Sequence, residues 1–222
     1  MAMLVCMSAF EELLNLLLPT RCALCKLLGA PICNLCDSTL VWQPHETSRE
    51  HLVGWAASCY GEVERNLLKS FKENGQTSLL PHLAKPMAPL LIDILARFPD
   101  VAVVPVPSGK SNYLKRGFSP AKLLAKRVHR SAGSPTVVVD GLKFEHEILD
   151  QSRLDAIARN ENLRDSMVGN RSLEGRAVVS FDDIVTTGAT ILESARAATA
   201  AGADVVGFLA FSETILKTQT KT

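Results

Sequence analysis

The 222 residues predict an α/β fold, an open and mainly parallel sheet flanked by helices, with a small cysteine module in front. Three observations carry this. From residue 101 onward, short β-branched apolar runs alternate with helical patterns, the signature of strands joined by right-handed helical crossovers. One of those runs leads straight into two carboxylates and a hydroxyl-rich, glycine-containing loop before a helix. Ahead of all this, four cysteines stand as two C-x-x-C pairs.

The elements follow in order. Phe10, Leu13, Leu14, Leu17 and Leu18 recur at helical spacing and predict an amphipathic helix ending near Pro19. Glu11, Glu12 and Asn15 interrupt the apolar run well short of the ~20 residues a membrane span needs, and no basic segment opens it. A cytoplasmic protein is expected. Residues 1–45 form the helix and cysteine module, and the polar, Pro- and His-containing stretch 43–51 reads as the boundary before a second domain at 52–216. A strand over 52–60 and a helix over 62–73 come next, and Asn74-Gly75 stops that helix. A second helix covers 85–97, with Pro86 and Pro89 near its start, where proline is tolerated. Residues 101–106 are continuously apolar, as in a strand buried on both faces. A loop, a helix over 119–131, a β-branched run at 136–139 and a strand at 177–181 follow. A polar turn then leads to a helix over 191–201, closed by Gly202, and a last strand at 205–211. The expected arrangement is Rossmann-like.

Composition sets limits. With 47% hydrophobic and 21% charged residues, 13 glycines and 11 prolines, the chain is neither disordered, fibrous nor a coiled coil. A net charge of +1 excludes a polyanion binder acting through bulk charge. The charge is unevenly spread, however: residues 101–130 hold seven Lys or Arg and no Asp or Glu. Lys122, Lys126 and Arg130 recur every four residues and share one helix face, either a solvated surface or a contact for the phosphates of single-stranded DNA.

Cys22, Cys25, Cys33 and Cys36 have ligand spacing. Two intervening residues let a cysteine pair turn both thiolates onto one ion, and the stretch 26–32, with Gly29, can bring the second pair opposite the first. Four thiolates leave no position open for water, so the expected ion is a structural Zn2+ without a catalytic part. A redox pair, a disulfide or an iron–sulfur cluster are the alternatives. Cys6 and Cys59 are isolated and read as buried small hydrophobes.

The segment from Val178 to Thr190 carries the most chemistry. Asp182 and Asp183 follow the apolar strand, and ligands in open α/β sheets bind beyond the carboxyl ends of strands. Two carboxylates there can accept hydrogen bonds from vicinal sugar hydroxyls. Val185, Thr186, Thr187, Gly188, Ala189 and Thr190 then form a loop whose amides and hydroxyls can face a phosphate at a helix start. Gly188, lacking a Cβ, allows close backbone approach. A plainer description is turn chemistry at the acidic pair and a capping box from Thr190 to Glu193, and the two are compatible.

This run resembles the diphosphosugar-binding motif of type I phosphoribosyltransferases. Together with the cysteine pairs, Pro19-x-x-Cys22, the segment ending at Lys72, Pro105-Val106-Pro107, Arg116-Gly117-Phe118, Gln151 and Arg159-x-x-Asn162-Leu163, the chain is similar to the ComF family, phosphoribosyltransferase-like proteins associated with DNA uptake in competence. The pattern departs at Pro120, where the family usually carries a glutamine. The resemblance implies the type I phosphoribosyltransferase fold, binding of 5-phosphoribosyl 1-diphosphate, and transfer of its phosphoribosyl group to an acceptor. Mg2+ would accompany the diphosphate, and Asp182 and Asp183 would be catalytic. It further implies pyrophosphate contacts from Ser108, Gly109, Lys110 and Ser111, with Lys115 and Arg116 just beyond, unless these form a solvated loop. Residues 143–165 would be a hood over the substrate, with Gln151, Arg159 and Asn162 as contacts. A different class of function is also open: a nucleotide- or single-stranded-DNA-binding accessory protein of natural transformation that binds without turnover.

Overall fold

A computed structural model describes residues 20–133, 135–146 and 163–215. The helix expected over 10–18, and Gln151, Arg159 and Asn162, lie outside the described residues.

The cysteine module is a tight knuckle followed by one helical turn. Arg21 and Leu28 bridge antiparallel, Cys22 N donates to Leu27 O at 2.7 Å, and Lys26 takes the left-handed conformation that closes the turn (φ 67°). The short helix α1 (Asn34–Asp37) then starts directly after Cys33. The module does not stand apart. Ala23 and Ile32 belong to the main core, and Trp42 meets Phe211 edge-on at 5.5 Å.

The sheet has five strands, β1 (His45–Arg49), β2 (Leu52–Ala56), β3 (Ala102–Pro105), β6 (Ala177–Val185) and β7 (Asp204–Glu213), in the order β1-β2-β7-β6-β3. Only β1 runs antiparallel to its neighbour. The expected α/β architecture with a mostly parallel sheet is present. The helices are α2 (Glu62–Lys72), α3 (Leu80–Ala84), α4 (Met87–Arg97), α5 (Lys110–Arg116), α6 (Pro120–Ser131) and α7 (Ala189–Ala200). A separate hairpin, β4 (Leu142–Phe144) with β5 (Met167–Gly169), stands over one face. Alternation along the buried strands divides the core. Val103, Val179 and Phe181 pack with Leu67, Phe71, Leu91 and Leu124 from the helices α2, α4 and α6. Ala102, Val104 and Val178 pack with Ala197 and Ala198 of α7 and with Leu142 and Met167 of the hairpin.

Several expectations are corrected. The stretch 43–51, read as a linker, contains β1, because the hairpin to β2 pairs its backbone and Arg49 is drawn into the interior. The helix expected over 85–97 begins only at Met87, with Pro86 as its N-cap and a separate short helix before it. The run 136–139 makes a single bridge, Val138 to Val103, beyond the sheet edge. The loop expected at 108–115 is largely the helix α5, closed by Gly117 in the left-handed region (φ 75°). The strand expected to end at 181 continues to Val185, so the acidic pair lies within β6 and not in a turn. No single helix among the described residues is long and apolar enough to cross a membrane; α3 and α4, bent at 53° with the turn before them, bury Leu83, Met87, Leu91 and Ile94 in the protein's own core.

Candidate functional site

The site lies at the carboxyl end of β6, where the parallel strands stop and α7 begins. Side chains alternate along a strand, so Ser180 and Asp182 share one face and Phe181 and Asp183 the other. Ser180 Oγ lies 3.0 Å from Ser194 Oγ of α7, which fixes the first face. Phe181, with the α2 side of the core, marks the second. Both carboxylates are buried, with 7% and 3% of their residues' surface exposed.

Asp183 forms an ion pair with Lys72, the last residue of α2. Asp182 accepts a hydrogen bond from the Asp183 amide at 2.8 Å. Burial pushes the Asp182 carboxyl up to about 7, against the pull of the Lys72 charge. Burial likewise brings the Lys72 ammonium down to about 8, although Asp182 favours its charge; the nearby Arg116 charge adds to the depression. Arg116 is therefore gathered to the same place. Phe71 and Phe118, packed at 5.5 Å between ring centroids, hold the ends of α2 and α5 together.

Past Val185 the chain bends through Thr186, Thr187 and Gly188, and Ala189 opens α7 with Thr190 in its first turn. Gly188 is the N-cap with φ 93°, and the Ala189 amide points to Thr187 Oγ1 at 3.4 Å. The capping box expected from Thr190 to Glu193 is absent. Glu193 instead accepts from Met167 N at 2.8 Å and from Arg196, tying α7 to the hairpin. The first amides of α7 and its dipole are left facing the strand end, an arrangement that favours an anion.

Across from the acidic pair, Ser108 and Gly109 lead from β3 into α5, which begins at Lys110. Ser108 Oγ donates to Ser119 Oγ at 3.0 Å. Lys110 borders a cavity of about 540 Å³ lined also by Ser108, Tyr113, Ser119, Lys122, Phe144 and His146, between α5, the start of α6 and the hairpin. Pro120 is the first residue of α6, where its missing N–H costs nothing. Of the stripe on α6, Lys122 is paired with Asp140, and Lys126 and Arg130 are exposed.

The four cysteines come together as their spacing predicts. Their Sγ atoms lie within 4.8 Å of one another, with Cys25 and Cys33 at 3.5 Å. Four sulfurs around one Zn2+ at ~2.3 Å stand about 3.8 Å apart, so the set needs little adjustment to hold such an ion. Burial opposes ionisation of Cys22, but the amides of Cys33, Cys25 and Leu24 outweigh it and bring its thiol down to about 6. The crowding sulfur of Cys33, then burial and the other two thiols, push Cys36 up to about 12. Four thiols in this space ionise together only around a cation.

Arg49 and Glu213 are not among the residues the sequence points to, and Lys72 stands there only as the end of a segment. Arg49 is 1% exposed, and its guanidinium meets Glu213 Oε2 at 2.7 Å. It also donates to Thr186 O at 3.1 Å and to Thr214 O at 2.9 Å, beneath the loop. Glu213 accepts further bonds from His45 at 2.6 Å and Thr47 at 2.7 Å. Burial works against its charge, but these partners and Arg49 hold its carboxyl below the usual range. An Arg in a polar run and a Glu just past an apolar strand give no local sign that the two will meet.

No protein-family model matches the chain. The Competence protein ComFC of Bacillus subtilis (strain 168) is 26% identical over 183 residues, spanning 78% of this chain and 70% of that protein. That similarity, joined to a four-cysteine cluster ahead of a mostly parallel α/β sheet, supports the chain's resemblance to the ComF family.

Proposed function

We propose that the chain binds 5-phosphoribosyl 1-diphosphate with Mg2+ on a type I phosphoribosyltransferase fold, and transfers the phosphoribosyl group to an acceptor. The observation that carries this reading is the buried Asp182-Asp183 pair at a parallel strand end, followed directly by the Thr186–Gly188 bend and the start of α7. Asp182 and Asp183 accept the ribose hydroxyls, and Val185, Thr186, Thr187, Gly188, Ala189 and Thr190 enclose the 5′-phosphate. Ser108, Gly109, Lys110 and Arg116 meet the diphosphate, whose charge the accompanying Mg2+ shares. In transfer, the bond from ribose C1 to the diphosphate oxygen breaks, pyrophosphate leaves with the electron pair, and the acceptor nucleophile bonds to C1 and loses its proton. Carboxylates beside the ring favour the cationic character that develops at C1, and Lys110 and Arg116 favour the departing anion. The cavity under the hairpin has room for an acceptor next to Lys110.

The cysteine cluster is proposed to hold one structural Zn2+ that staples a segment too small to build its own core. The relative's name connects that protein with competence, and we extend a competence role, with DNA uptake as its setting, to this chain. Turnover is tested by pyrophosphate release from the diphosphoribose with Mg2+ across a panel of bases and amines. Release that Asp183→Ala abolishes supports transfer. Tight binding without release by any acceptor reassigns the protein to the non-catalytic nucleotide-binding role.

A further inference from the structure

Arg49 is buried beneath the loop that opens α7, and its contacts are unusually placed. Its Nε donates to Thr186 O at 3.1 Å, and its Nη2 donates to Thr214 O at 2.9 Å. Its Nη1 meets Ser48 O at 2.9 Å, Thr47 Oγ1 at 3.3 Å and Glu213 at 2.7 Å. The aliphatic stem lies against Gly188: a Cβ built there would come within 2.7 to 2.9 Å of Arg49 Cγ, Cβ and Cδ. One side chain from the edge strand β1 thus grips both Thr186 and Gly188, and pins the ends of β6 and β7 to each other.

The direction of the first bond matters. In a trans peptide the carbonyl and the following N–H point opposite ways. Drawing Thr186 O inward to the guanidinium turns the Thr187 N–H outward, toward the strand end. A lysine could not replace this grip, because one ammonium cannot reach two carbonyls of different segments and a carboxylate in the planar fork that arginine presents.

We propose that Arg49 is a positioning residue for the phosphate loop, holding Thr186 to Gly188 so that the loop's amides meet the 5′-phosphate of a ribose 5-phosphate moiety. This rests on the reading of that loop given above and adds the device that shapes it. It makes the edge strand β1, which follows the cysteine module in the chain, part of the binding machinery, although Arg49 does not touch the ligand.

The test uses the full chain and two probes, ribose 5-phosphate and Mg2+-pyrophosphate, titrated calorimetrically, with melting followed in parallel. Arg49→Lys is expected to weaken ribose 5-phosphate at least tenfold and leave pyrophosphate within twofold. Thr47→Val, which removes one guanidinium acceptor at nearly constant volume, is expected to weaken ribose 5-phosphate by about threefold. It serves alone if Arg49→Lys does not fold. A folded Arg49→Lys or Thr47→Val chain that keeps the wild-type ratio of the two affinities overturns the role of Arg49. A wild-type chain that binds pyrophosphate but not ribose 5-phosphate overturns it together with the reading of the loop.

Discussion

Lys72 at the end of α2 and Asp183 on β6 form an ion pair in the buried floor of the site, joining a helix to a strand more than a hundred residues later in the chain. Lys72 is thereby placed where the sugar hydroxyls and diphosphate are proposed to bind. A ligand that hydrogen-bonds Asp183 there also meets the Lys72 ammonium. Lys72→Met is expected to fold, because methionine keeps an unbranched apolar stem of similar length, and to weaken diphosphoribose binding about tenfold. Calorimetry on the variant checks this; unchanged affinity would place Lys72 outside the site.

The pH dependence of binding follows from the same floor. Asp182, raised to about 7, is half-protonated near neutrality, and Lys72, lowered to about 8, loses its charge just above. Both are ionised together only between about 7 and 8. Affinity for the diphosphoribose is expected to rise up to about fivefold from pH 6 to pH 7, and to flatten in Asp182→Asn.

Stability runs the other way. A carboxyl whose folded value is raised loses stability as pH climbs from its unfolded value near 4 to its folded value of about 7, because the folded state holds the proton longer. Asp182→Asn is therefore expected to be more stable than wild type at pH 8, on the order of 2 kcal/mol, while losing ligand. Urea unfolding at pH 5 and pH 8 measures the difference.

Glu213 has the opposite sign. Its folded value lies below that of the free side chain, so its contribution is present above about pH 4.3 and disappears as pH falls through the folded value. Glu213→Gln is expected to destabilise at pH 7 by about 3 kcal/mol, leaving Arg49 buried beside a neutral partner, and to lose less on acidification than wild type. Thermal melts between pH 3 and pH 7 provide the comparison.

The cysteine cluster predicts one zinc per chain by elemental analysis. Cys36→Ser removes a ligand and is expected to lower metal content and expose residues 20–42 to rapid hydrogen exchange, since binding of such an ion is folding free energy for the segment that holds it. Metal-free protein with slow exchange in that segment contradicts the assignment.

Much of this was legible in the chain because periodicity and spacing are local. The apolar runs at 101–106 and 177–181 became β3 and β6, and the two C-x-x-C pairs converged. What escaped was set by tertiary pairing. Strand β6 continues through Asp182 and Asp183 because β7 offers its backbone alongside as far as Glu213, so hydrogen-bonded pairing overrode the turn preference of two aspartates. Strand β1 was hidden because its residues are polar, and only the hairpin to β2 with burial of Arg49 makes them a strand. Thr190 and Glu193 matched a capping pattern, yet Gly188 with its positive φ started the helix and Glu193 was drawn to Met167.

The central claim is that the acidic pair and the loop after it bind a phosphoribosyl diphosphate. Calorimetric titration of the full chain with 5-phosphoribosyl 1-diphosphate and Mg2+ at pH 7.5, beside Asp183→Ala, tests it most directly. A saturable one-to-one heat in the wild type that disappears in the variant is the predicted result. No heat from a folded, zinc-loaded wild-type chain, or equal heat from the variant, contradicts it.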